Sequence, residues 1–170
     1  MILRDEGSLF SFPLGFVWEF LNYPEEHTRA HLHSAVRRER TGEYSGRYSW
    51  EQSFGRGRSR FTMEWTSFPP LGIAYDVVEG PFAGSTFFLY YLPRGRRTEV
   101  GILGDFRSPT LAGSRLRHAV NSFFQKEFEQ DHRAMRELYA RLPAARRKVD
   151  PPRSRAERPM AARGRSKGRA

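Results

Sequence analysis

Hydrophobic residues recur along this chain with two different periods, and the change from one to the other divides it. Over 111–142 the period is helical. At about 100° per residue, Leu116, Val120, Phe124, Phe128, Ala134, Met135, Leu138 and Leu142 fall within one sector of roughly 120°. Arg115, Gln125, Lys126, Glu129, Arg133 and Arg136 lie opposite. The pattern predicts one long helix with a single buried face. Glu127 and Asp131, four residues apart, sit inside the apolar sector, where carboxylates are avoided unless something pairs with them.

Over 35–108 the period is two, and turn residues punctuate it. Strands are expected at 36–44, 47–54, 58–68, 71–79, 85–92 and 97–107. Alternation is clearest where Tyr48, Trp50, Gln52 and Phe54 share a face, and where Phe61, Met63 and Trp65 oppose Thr62, Glu64 and Thr66. One face of such strands is buried and the other wet. The run 86–92 is apolar on both faces, which a homodimer contact or a strongly curved sheet would explain. Before these strands, 8–13 reads as an edge strand, and Pro13 opens a short helix over 14–21. Pro24-Glu25-Glu26 opens a second short helix to about residue 31. Beyond Pro143 the sequence is Arg, Pro, Ala, Ser and Gly without apolar periodicity, and is expected to be disordered. The organisation is therefore an α+β domain over 1–143 followed by a basic tail over 144–170.

Composition sharpens this. Aromatic residues make up 14% of the chain, which suits either a large core or a ring-lined cavity. The net charge is +10, but residues 146–170 hold ten Lys and Arg against Asp150 and Glu157, so eight of the ten charges lie there. A flexible basic tail attracts nucleic acid or other polyanions, or serves as a solubilising extension. Gly55-Arg56-Gly57-Arg58-Ser59-Arg60 reads as a hairpin turn with solvated arginines. No cysteine is present, so any metal would be held by His and carboxylate. No apolar run is long enough for a membrane span, no secretory leader is apparent, and the expected location is cytoplasmic.

The order of strand, two short helices, six antiparallel strands and a long final helix resembles the helix-grip fold of the START, polyketide-cyclase and pollen-allergen-like (SRPBCC) superfamily. Val17-Trp18-Glu19-Phe20-Leu21 in the first helix adds local support. The resemblance implies a curved antiparallel sheet of about seven strands wrapped around the long helix, with a cavity between them for a lipid, polyketide or other hydrophobic small molecule. Phe124, Phe128 and Met135 from the helix, and Trp50, Met63, Trp65 and Tyr75 from the sheet, then become ligand-contact candidates. Packing alone is the simpler reading of the same residues.

His27, His31 and His33 lie on and just after the second short helix, His27 and His31 sharing a face at i and i+4. Two imidazoles and one carboxylate suffice to hold iron(II) or another divalent metal with open positions, and Asp131 is a candidate carboxylate. This is similar to the catalytic domain of Rieske-type ring-hydroxylating oxygenases, and the comparison carries His27, one of His31 or His33, and Asp131. The chain departs from that family's Asp-x2-His-x4-His pattern in its histidine spacing, and Pro24 stands where the leading Asp would be. Without cysteine it has no Rieske cluster module. Alternatively, Asp131 or Glu127, with a raised pKa in an apolar cavity, would act as catalytic acid or base beside a histidine, for cyclase, dehydratase or isomerase chemistry. The structural alternative pairs the two acids with Arg40, Arg47, Arg60 or Arg117. Three functional classes follow: a binder of apolar small molecules, which the sequence favours; a metal-dependent or metal-free enzyme; and an interaction protein working through its tail.

Overall fold

The structure is a computed structural model that describes residues 1–4, 7–22, 31 and 33–142. Ten elements follow one another: β1 (Ile2–Arg4), β2 (Ser8–Phe10), α1 (Leu14–Asn22), β3 (Ser34–Arg40), β4 (Ser45–Phe54), β5 (Gly57–Phe68), β6 (Gly72–Glu79), β7 (Thr86–Arg94), β8 (Arg97–Asp105) and α2 (Gly113–Arg141). All strands pair antiparallel in one sheet, ordered β1-β8-β7-β6-β5-β4-β3, with β2 also on β8. The sheet has eight strands where seven are expected, because β1 and β2 each take part of the free edge of β8. The second short helix expected near 24–31 lies outside the described residues, as does the tail. Among the described residues no helix is long and apolar enough to cross a membrane.

The concave face of the sheet carries Trp50, Phe61, Met63, Val77, Phe87, Leu89, Val100 and Ile102, all buried. Against it lies α2, which buries Leu116, Val120, Phe123, Phe124, Phe128, Asp131 and Met135. Phe123 stands outside the apolar sector read from the sequence. It is buried because its ring reaches sideways to Phe61 and Phe82, with centroids 5.5 Å away in each case. α1 closes one end of the gap with Val17, Phe20 and Leu21.

The strand that is apolar on both faces has a local explanation in curvature. Phe87, Leu89 and Tyr91 point inward, while outward Tyr90 lies over Gly101, where a Cβ would meet its ring at 2.4 Å. Trp65 covers Gly46 on the inner face in the same manner, with ring atoms 2.7 Å from where a Cβ would sit. Large rings lie over glycine on the neighbouring strand, which lets the strands coil tightly.

Candidate functional site

Between the sheet and α2 a cavity of about 80 Å³ remains, lined by Leu21, His33, Tyr48, Trp50, Met63, Tyr75, Phe87, Leu89, Phe123, Phe124, Glu127, Phe128 and Asp131. Five of the seven ligand-contact candidates border it: Trp50, Met63, Tyr75, Phe124 and Phe128. Met135 does not. Its side chain has no exposure at all and belongs to the closed core, because the turn of α2 that carries it packs where no gap is left. Trp65 points to a second space on the same concave face. This is a cleft of about 570 Å³ bounded by Trp18 and Asn22 of α1, Arg38 and Arg40 of β3, and Trp65 and Ser67 of β5. Met63 and Trp65 lie two residues apart on one strand, and Leu21 and Asn22 are neighbours on α1, so the cleft lies beside the inner cavity.

One wall of the cavity is charged. His31 Nε2 lies 2.8 Å from Asp131 Oδ1, and His31 Nδ1 lies 2.9 Å from Glu127 Oε2 and 3.1 Å from Gln130 Oε1. Oxygens on both edges of the ring require a donor at each nitrogen, which is the imidazolium form. Burial by itself lowers the pKa of His31, but the bonds to Asp131 and Glu127 outweigh it and raise the group to about 10. Glu127 shows the reciprocal effect: burial raises it, and the bonds from His31 and His33 bring it down to about 2. The two acids in the apolar stripe are thus paired by histidine. The arginines considered for that role point elsewhere: Arg47 pairs with Glu64 and Arg60 with Glu79 on the sheet surface, and Arg40 and Arg117 are exposed.

His33 continues the group. Its Nε2 is 3.4 Å from Glu127 Oε2, and its Nδ1 is 3.1 Å from the Tyr48 hydroxyl. Its ring stacks on His31 at 4.8 Å and on Trp50 at 5.0 Å. Trp50 stacks on Phe61 at 5.0 Å, and Phe61 on Phe123 at 5.5 Å. A column of five rings therefore runs from the charged cluster into the core, and its aromatic faces are suited to a neighbouring cation.

The arrangement does not fit an iron(II) centre built on Asp131. His31, His33 and Glu127 have donor atoms within 4.8 Å of one another, but Asp131 is bonded to the opposite edge of the His31 ring. A metal at His31 Nδ1 would have to displace the proton that faces Glu127 and Gln130. His27 lies outside the described residues. General acid–base work is equally poorly served by the pair, since Glu127 is held low where a raised pKa is expected, and His31 is held high. Neither titrates near neutrality, where a proton-transfer group works best.

Among the site residues that sequence reading missed, Tyr48 is marked only by its alternation with Trp50. Gln130 looks like a solvated polar residue of α2, and Asn22 like a helix breaker. Arg38 sits in the charged stretch Arg37-Arg38-Glu39-Arg40, and only its inward parity with Val36 in an alternating strand marks it out.

Sheet topology and the enclosed helix together define the helix-grip fold. Solved structures that share it include TTHA0849 from Thermus thermophilus, with 17% identity and a TM-score of 0.65 over 84% of this chain and 100% of that one. The ZhuI aromatase/cyclase from a Streptomyces species is similar at 16% identity and a TM-score of 0.65, over 85% and 98% of the two chains. Ara h 8.0201 is similar at 9% identity and a TM-score of 0.66, over 81% and 98%. No protein-family model matches the sequence, and no curated protein is similar to it in sequence.

Proposed function

We propose that the protein binds an apolar or aromatic small molecule on the concave face of its sheet, in the cavity under α2 and the cleft beside it. The observation that carries this reading is a ring-lined gap with a larger open cleft beside it on one face of the sheet. The inner gap alone is smaller than the several hundred Å³ of an ordinary ligand pocket, whereas the cleft is of that size. The fold neighbours include a structure described as an aromatase/cyclase, which supports the same reading. The test is titration of the full chain with the neutral fluorophore N-phenyl-1-naphthylamine. Saturable binding at one site per chain, with energy transfer from tryptophan, is expected. Emission that rises linearly without saturating would remove the proposal.

A cyclase-type enzyme is the second reading. It is favoured by the hydrogen-bonded His33–Tyr48 pair on the border of an otherwise apolar cavity. On this reading Tyr48→Phe abolishes turnover of a linear poly-ketone while leaving fluorophore binding intact.

A further inference from the structure

Among the described residues, Arg38 is the half-buried cation of the cleft. Its guanidinium lies 4.9 Å above the centre of the Trp65 ring, and its Nη2 donates to the Asn22 backbone carbonyl at 3.3 Å. It forms no salt bridge with any described carboxylate. Arg40 and Glu43 also border the cleft but are exposed to water, which screens them, whereas Arg38 is partly withdrawn from solvent. Burying a cation without a counter-ion costs free energy unless a ligand supplies the charge.

The surroundings hold this arginine in place. The Asn22 side-chain amide donates to the Trp18 carbonyl at 2.9 Å and accepts from the Ser67 hydroxyl at 3.0 Å. Asn22 is thereby fixed between α1 and β5, and with it the carbonyl that meets Arg38. Trp65 completes the set. Its indole Nε1 is buried and has no acceptor among the described residues, although a buried N–H normally finds one. A guanidinium without a counter-ion thus borders the cleft above a ring whose buried N–H has no acceptor among the described residues, with Trp18 and Trp65 as aromatic walls.

From this juxtaposition we infer that the cleft recognises an organic carboxylate with a flat apolar body, the carboxylate meeting Arg38 and the indole N–H of Trp65. A planar carboxylate matches the guanidinium fork in a bidentate pair. The inference deepens the binding proposal above, whose concave-face site it uses.

The experiment compares 2-naphthoate with 2-naphthamide, which share a ring system and differ in charge, by calorimetric titration of the full chain. Naphthoate is expected to bind at least tenfold more tightly. Arg38→Met reduces naphthoate to the affinity of the amide and leaves the amide unchanged, whereas Arg38→Lys retains part of the preference, because an ammonium cannot form the fork. Trp65→Phe, which keeps the ring and removes the N–H, weakens naphthoate several-fold and the amide little, and serves if Arg38→Met does not fold. Equal binding of acid and amide, an acid preference that survives Arg38→Met, or no binding of either while the neutral fluorophore still binds, overturns the inference and leaves the broader proposal standing. Arg38-dependent naphthoate binding without fluorophore binding supports both and confines the site to the cleft. Failure of all three ligands overturns both.

Discussion

At the scale of single residues, the chain closes a buried charge cluster on itself. Asp131 and Glu127 occupy an apolar stripe because one imidazolium bonds both of them, and the cost of removing any member is the cost of leaving a buried charge uncompensated. Asp131→Ala is accordingly expected to destabilise the fold by about 3–5 kcal/mol, read from urea denaturation. The pH dependence follows from the sign of each shift. His31 is raised from 6.5 to about 10, so its contribution is complete below pH 6.5 and is lost as pH climbs toward 10. Glu127 is lowered from 4.5 to about 2, so its contribution is complete above pH 4.5 and is lost on acidification toward 2. The stability difference between wild type and His31→Gln should therefore be largest between pH 4.5 and 6.5. By pH 8.5 it should have shrunk by about 2 kcal/mol; a difference independent of pH would show that His31 is uncharged in the fold. That the two acids needed partners was legible in the sequence, since a carboxylate on a buried helix face cannot stand alone. Which residue supplied the partner was not, because His31 lies 100 positions away from Asp131 and arginine is far more abundant.

At the scale of elements, the curvature of the sheet rests on glycine–ring pairs across neighbouring strands, and the neighbours of each glycine decide how much a methyl group would cost. At Gly104 a Cβ would meet the Thr86 carbonyl oxygen at 2.4 Å and the Phe87 Cα at 2.6 Å, both backbone atoms that cannot swing aside. At Gly101 the obstacle is the far end of the Tyr90 side chain, which can turn toward solvent. Gly104→Ala should cost about 2 kcal/mol and Gly101→Ala clearly less, measured as paired denaturation midpoints; the opposite ranking would show that β7 and β8 can separate more freely than their packing implies. The succession of strands along the chain and the long helix were readable from periodicity because each element repeats its pattern over many residues. β1 was not, since Ile2–Arg4 spans three residues with one buried side chain, too few to display a period. Its strand character comes from pairing with β8.

For the molecule as a whole, the interior of the grip is nearly full, and rings do most of the filling. Phe124 touches Phe87, Phe106, Phe123 and Phe128. Truncating it is expected to cost about 3–5 kcal/mol while widening the gap beside it. Phe124→Ala should therefore lower the melting temperature and at the same time tighten binding of N-phenyl-1-naphthylamine; a loss of both would assign Phe124 to the ligand contact itself. The sequence could announce an abundance of aromatic surface, but not its division between core and cavity. Met135 and Phe128 carry the same apolar signal on one stripe of α2, and only the shape of the sheet above them separates the packed residue from the one beside the gap.

The pairing of Ile2 with Asp105 and of Ser8 with Val100, together with the bond from His31 to Asp131, bears on how the chain reaches this state. The contacts that seal the sheet and the charge cluster join segments about a hundred residues apart, so little of the native structure can be secured locally. Loops of that length must close before their contacts repay the lost entropy, and topologies of this kind fold in milliseconds to seconds rather than microseconds. β3 through β7, linked by successive hairpins, can assemble early. The edge strands β1 and β2 remain without partners until β8 has formed, and during that interval the exposed apolar face of the half-built sheet is the point at which misassembly competes with folding.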